Sequence, residues 1–331
     1  MPVGAARRRD PSAAGQPCKL SGVTFRTDST GTTEQVTTPK VGLSTSSVYP
    51  EPTRYAFDVA ARLGYDGVEL MVSIDPASQH PDKVLEYIDQ YQVPVLSIHA
   101  PTLFWLNLKR VWGSDPWEKL RKSREAAEWV GANVVVVHPP FRWQQPYAEE
   151  FAAGIKRLNQ ESEIRFAVEN MYPWRASTPD IFGRLPRIRM PRMEREGEAY
   201  FPGWDPTETG YEHYVLDLSH TATARNDALA MYERMGEKLV HLHLADGTGQ
   251  NKDEHLVPGR GSQPCQEVLE RIARRGLAGA VILEVSTRRA ESELQREEDL
   301  RESLVYARRA LASVREEAEP RALPVSPVNE H

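Results

Sequence analysis

Eight short apolar runs recur along the chain, at about residues 41–46, 66–71, 93–99, 133–138, 164–170, 214–219, 239–244 and 280–286. Several are continuous rather than alternating, as in Val134-Val135-Val136-Val137. Continuous apolar character predicts parallel strands covered on both faces. Between the runs, apolar residues recur at helical spacing. Over 52–63, Tyr55, Ala56, Val59, Ala60 and Leu63 make one stripe, and Gly64 ends it. The segments 117–130, 148–158, 228–235, 266–274 and 298–311 have the same character. Strand and helix alternating eight times predict an α/β fold, a (β/α)8 TIM barrel, over a doubly wound sheet.

The pattern fails at both ends. Residues 1 to about 38 are rich in Ser, Thr, Gly, Pro and Gln, and 316–331 in Glu and Pro. Both read as disordered tails, leaving 39–315 as the barrel. One connection also breaks the rhythm: residues 172–213 separate the fifth and sixth strands. The stretch holds Arg184, Arg187, Arg189, Arg192 and Arg195, then Tyr200, Phe201 and Trp204. A loop this long, leaving the catalytic face, is expected to act as a lid, with arginines suited to a phosphate or carboxylate.

Composition narrows the class. A chain of 331 residues with 40% hydrophobic content suits one large barrel with insertions. A net charge of −6 argues against a surface that wraps nucleic acid throughout. Cys18 and Cys265 lie far apart, so a disulfide framework is not expected and a reducing cytoplasm is. No run of about 18 apolar residues predicts a membrane span. Arg7, Arg8 and Arg9 are followed by no apolar stretch of the kind a signal peptide carries. A homo-oligomer is compatible with this surface.

The chemistry collects at the strand ends, where a barrel of this kind keeps its active site. Six runs finish on His99, His138, Glu169, Asp217, His243 and Glu284. His220, Asp253 and His255 follow within a loop's reach. All nine are imidazoles or carboxylates, without thiolates, which suits Zn2+ or Mn2+, with Co2+, Fe2+ or Mg2+ as further options. Singly, each has a plainer reading as a cap or a hydrogen-bonded core residue. Nine at the same end make a divalent-metal centre the expectation. Of His241 and His243, one is expected to face the barrel axis, and His243 is that one. Asp246 is expected to orient a ligand or serve as a turn residue. Glu69, Trp105, Trp174 and Arg260 are expected to contact substrate, and Trp143 and Trp204 are further stacking candidates.

The order His99, His138, Glu169, Asp217-x-x-His220, His243, Asp253-x-His255, Glu284 resembles the xylose isomerase-like barrel superfamily, over about residues 40–312. In its sugar isomerase and epimerase branch, the resemblance implies one divalent ion on Glu169, Asp217, His243 and Glu284. In its endonuclease IV branch, it implies three zinc ions on all nine residues and cleavage of DNA at abasic sites. The stretch from Ile98 to Leu108 resembles the second branch. The turn from Asp253 to Gly261 resembles members described as sugar phosphate isomerases, and the acidic charge and long insertion also depart from the endonuclease pattern. The expected activity is therefore isomerisation or epimerisation of a sugar or sugar phosphate. Glu169 and Glu284 would act as base and acid, and His220 would bind the substrate oxygen or the metal. Phosphoester hydrolysis, with nucleic acid as substrate, is the alternative. A barrel that only binds a ligand is the third reading, and the intact ligand set argues against it.

Overall fold

The computed structural model describes residues 23–27, 33–102, 110–173, 199–250 and 252–318, excepting the side chains of 23–37 and 315–318. Strands β1 (Val23–Thr27) and β2 (Thr33–Thr37) pair antiparallel, within the stretch expected to be a disordered tail. Val23, Thr24, Phe25, Val36 and Thr37 are residues that favour strands, a signal the overall polarity of the region hides. This hairpin belongs to a separate compact unit that ends at Thr37.

The second unit is the barrel. Its strands are β3 (Lys40–Ser44), β4 (Gly67–Met71), β5 (Val95–His99), β6 (Val134–Val137), β7 (Arg165–Glu169), β8 (Tyr214–Asp217), β9 (Leu239–Leu244) and β10 (Ala280–Leu283). They pair in parallel in that order, and β10 closes onto β3. The helices are α1 (Thr53–Leu63), α2 (Pro81–Tyr91), α3 (Pro116–Val130), α4 (Tyr147–Glu161), α5 (Leu218–Ala224), α6 (Ala228–Met235), α7 (Cys265–Arg275) and α8 (Glu293–Ala318). In α1 the predicted stripe buries Ala56, Val59 and Ala60, and Gly64 ends the helix with a φ of 83°. Helix α3 starts on Asp115, whose side chain accepts from Trp117 N, with Pro116 in its first turn. Helix α8 runs on past residue 315 to Ala318. No helix among the described residues is long and apolar enough to cross a membrane.

Two features of the strands matter for the site. First, β8 ends at Asp217 and not at 219, because the Asp217 carboxylate accepts from His220 N at 2.7 Å and starts α5. Second, the ladders shift register at Val68/Glu69 between β4 and β5 and at Tyr214/Val215 between β8 and β9. Val134, Val136, Ala167 and Val215 share strand faces with His138, Glu169 and Asp217, and with Val240 they form a cluster apart from the main core. They are the apolar floor beneath the polar layer.

The loop after β9 is held by Asp246. Its buried carboxylate accepts backbone N–H groups from Gly247, Gly259, Gly261 and Gln263 at 2.8–3.0 Å. Asp246 also pairs with Leu256 by two 2.8 Å backbone bonds, one residue after His255. It therefore fixes the loop that carries Asp253 and His255 and orients no imidazole directly. Asp246→Ala would remove the shared acceptor of four amides, one buried and three part-buried, where a hydrogen bond to a charged group contributes about 1.5–3 kcal/mol. We expect a loss of at least about 3 kcal/mol in urea denaturation, allowing for relaxation. Gly261→Ala should behave similarly, since a Cβ there would lie 2.3 Å from Asp246 Oδ1.

Candidate metal centre

All nine candidate ligands, six at strand ends and three just beyond, converge at the C-terminal end of the barrel. Glu169 sits at their middle. Its Oε2 lies 2.7 Å from His138 Nε2 and 3.5 Å from His99 Nε2, and its Oε1 lies 3.0 Å from His243 Nδ1 and 3.4 Å from His220 Nδ1. His243 Nδ1 is also 2.8 Å from Glu284 Oε2 and 3.7 Å from Asp217 Oδ2. Asp253 Oδ2 lies 2.8 Å from His255 Nε2 and 3.2 Å from His220 Nε2.

Three overlapping donor groups result, each with one atom per residue inside 4.8 Å: Glu169, Asp217, His243 and Glu284; His99, Glu169 and His243; Asp217, His220 and His255. Glu169 and Asp217 are each shared between two of them. The residues fit a divalent ion. Glu169 Oε2 and Asp217 Oδ2 are buried, close to imidazole nitrogens, and make no hydrogen bond. Buried carboxylate oxygens are rarely left so, unless a cation supplies the missing interaction. An all-nitrogen-and-oxygen donor set suits a hard or borderline ion.

Neighbouring groups fix which nitrogen faces inward. His220 Nδ1 is 2.8 Å from Asn170 O, and His255 Nδ1 is 2.7 Å from Glu284 O. Each Nδ1 can only donate to a carbonyl, so each Nε2 faces the cluster as an acceptor when the ring is neutral. Asn170 also clamps β8 by exchanging hydrogen bonds with Asp217 N and O at 2.7 and 3.0 Å. Ser219 Oγ donates to Asp253 Oδ1 at 2.6 Å. Ser46 Oγ donates to Glu284 Oε1 at 3.2 Å. His255 holds a φ of 46°, a left-handed conformation uncommon for a side-chain-bearing residue and concentrated at functional sites.

Charge follows from the packing. Burial pushes the Glu169 carboxyl up, but His243 and His138 outweigh it and hold it well below the usual carboxylate range. Burial lowers His243, yet Glu69, Glu284 and Glu169 raise it well above an ordinary imidazole. Without an ion, the cluster balances its carboxylates with protons on imidazoles.

Several sequence expectations are corrected. His241 and His243 both point into the barrel, since residues two apart on a strand share a face. His241 and Glu69 are fully buried, and Glu69 lies beside His243 rather than at an open rim. The Arg260 guanidinium pairs with Asp299 at 2.8 Å and with Glu302 of α8, not with the cluster. Trp143 is stacked on Phe141 at 4.6 Å and is 41% exposed, whereas Trp204 packs on the core. Trp105, Trp174 and the arginines of the insertion lie outside the described residues. Reading strand ends alone missed Ser97, Asn170, Ser219 and His241. For Ser97 and His241 the signal was there: each stands two residues before a candidate ligand.

Comparison with known proteins adds the family. A family model described as xylose isomerase-like TIM barrel matches residues 57–186 and 213–310. An uncharacterized protein of Mycobacterium tuberculosis is 52% identical over 275 residues, covering 81% of this chain and 96% of its own. The fructoselysine 3-epimerase of Escherichia coli O157:H7 is 21% identical over 304 residues, covering 83% of this chain and 97% of its own. The crystal structure of a D-tagatose 3-epimerase-like protein superposes with a TM-score of 0.58 at 20% identity, covering 85% of this chain and 100% of that one. At that identity the likeness is one of fold.

Proposed function

The chain belongs to the xylose isomerase-like TIM barrel family, and on that footing we propose that it is a divalent-metal-dependent isomerase or epimerase of a sugar or sugar phosphate. One observation carries the reading: Glu169, Asp217, His243 and Glu284 bring four donor atoms together in a buried group at the barrel mouth. The fructoselysine 3-epimerases among its relatives support the same class. Zn2+ or Mn2+, with Co2+ or Mg2+ as further options, would polarise a carbonyl and its neighbouring hydroxyl and acidify the C–H between them.

The chain's own residues do the rest. Glu169 and Glu284 take and return the proton, both held as carboxylates by the histidines around them. Ser46, hydrogen-bonded to Glu284, keeps that carboxylate aimed at the mouth. His220 donates from Nδ1 to Asn170 O, which leaves its Nε2 to bind the ion or the substrate oxygen. Trp143, 41% exposed, is the candidate for stacking on a sugar.

A second reading has its own observation. The groups around His99 and around His220 share Glu169 and Asp217 with the central one, which is how a three-ion phosphoester hydrolase acting on nucleic acid would be built. Elemental analysis of protein purified without added metal separates the two. About one ion per chain supports isomerisation, and a panel of ketoses and sugar phosphates follows. About three zinc ions favour hydrolysis, and abasic-site DNA becomes the substrate to assay. No metal, even after reconstitution, overturns both.

A further inference from the structure

Three polar residues one inward layer deeper have no part in that reading: Glu69 on β4, Ser97 on β5 and His241 on β9, all fully buried. Polar groups at this depth cost free energy unless they bond to one another. Ser97 Oγ donates to Glu69 Oε2 at 2.7 Å, and His241 Nε2 lies 3.0 Å from the same oxygen. Ala280 N donates to His241 Nδ1 at 3.2 Å. That nitrogen therefore carries no proton, so Nε2 does, and His241 is a donor to Glu69.

The tautomer decides a further point. Glu69, His241 and His243 bring donor atoms within 4.8 Å. Yet an imidazole whose Nδ1 accepts and whose Nε2 is protonated has no lone pair for an ion. The trio is a hydrogen-bonded layer and not another metal site.

Its upper end meets the centre. Glu69 Oε1 lies at an ion-pair distance of 3.0 Å from His243 Nε2, and neither atom has a hydrogen-bond partner among the described residues. The other nitrogen of His243 faces Glu169 and Glu284. Both register shifts fall at this layer: one directly before Glu69, paired with Ser97, the other directly before Val215, paired with His241. Bulges re-aim side chains next to active sites.

We infer that Glu69, held by Ser97 and His241, is a positioning residue that fixes His243 with Nε2 protonated and Nδ1 turned to the ion. The inference rests on the metal-dependent reading above. Carboxylate partners of ligating histidines set tautomer and ring orientation and raise ligand basicity, and removing one costs about 10–100-fold in metal affinity.

The test is the cobalt affinity of the full chain, measured by competition with a chelator, for wild type, Glu69→Gln and Ser97→Ala. It is read beside the thermal unfolding of each metal-free protein and the 15N histidine spectrum. Glu69→Gln should bind cobalt about 10–100-fold more weakly, and Ser97→Ala should weaken it in the same direction by less. The zinc-loaded wild type should show a His243 whose Nε2 carries the proton and whose Nδ1 is metal-bound, and Glu69→Gln should shift that Nε2–H resonance. A Glu69→Gln protein that binds cobalt as tightly as wild type overturns the inference while leaving the metal centre standing. If that variant does not fold, unchanged affinity in Ser97→Ala overturns it instead. Absence of cobalt binding by wild type overturns the metal-dependent reading and this inference together.

Discussion

Glu169→Gln is expected to lower turnover by about a thousandfold or more, with a folded protein remaining. The side chain is replaced almost isosterically, so packing against the floor changes little. What goes is the charge and the proton-accepting oxygen. Glu169 lies within 3.5 Å of nitrogens on His99, His138, His220 and His243. No other carboxylate of the site approaches so many. It also belongs to two of the donor groups, so its amide weakens both at once. Loss of a general base alone accounts for about 10²–10⁴ in rate, and a weakened ion adds to it. The check is kcat and metal content side by side, on the ketose or sugar phosphate that wild type converts. Turnover within tenfold of wild type at full metal occupancy would remove Glu169 from proton transfer. Glu284→Gln should fall less far, because only His243 approaches its carboxylate within 3 Å and its outer oxygen has Ser46 as a partner.

The same residues show how much was legible in the sequence. Strand ends were readable because burial on both faces demands unbroken apolar runs, and a carboxylate or imidazole that ends such a run stands out. That rule located all eight barrel strands and six of the converging residues, and His220, Asp253 and His255 were read from the stretches just beyond them. It failed where local chemistry overrides the run. The run over 214–219 carries the strand two residues past Asp217, yet the Asp217 carboxylate caps α5 and stops β8. His241 was set aside although the period of two places it with His243 inside the barrel. Arg260 is near Asp253 and His255 in sequence, but two acidic residues of α8 outcompete the site for it. Ion-pair partners about 40 residues away are invisible to a reading of neighbours. Asn170 acts by hydrogen bonds to the backbone of β8 and Ser219 by one to a carboxylate in the loop after β9, and that pairing appears only once the barrel closes.

Metal uptake is expected to release protons, and the stabilisation by metal to grow as pH rises. In the metal-free chain, burial raises Asp253, but His255 and His220 outweigh it and hold it well below the usual range. Burial lowers His255, yet Asp253 carries it up to about 10, and His220 and His243 are likewise raised. A folded value raised above the unfolded one, about 6.5 for histidine, stabilises fully below that unfolded value and is lost as pH climbs through the folded one. The depressed Asp253 works the other way, stabilising above about 3.9 and losing this as pH falls through its folded value. These groups therefore favour the metal-free fold most between about pH 4 and 6.5, and less with each step toward 10. An ion needs the same imidazoles deprotonated, so protons and metal compete for them. The two slopes oppose each other. Thermal unfolding at about pH 6, 7.5 and 9, with chelator and with saturating zinc or manganese, should show a midpoint difference that widens with pH. Calorimetric titration in buffers of different ionisation enthalpy should show proton release on binding that persists to pH 9 and falls off only as the pH passes about 10, where His255 loses its proton unaided. A midpoint difference that is flat or narrows with pH would mean that the ion is not held by these histidines. Metal binding would then have to be sought among carboxylates alone.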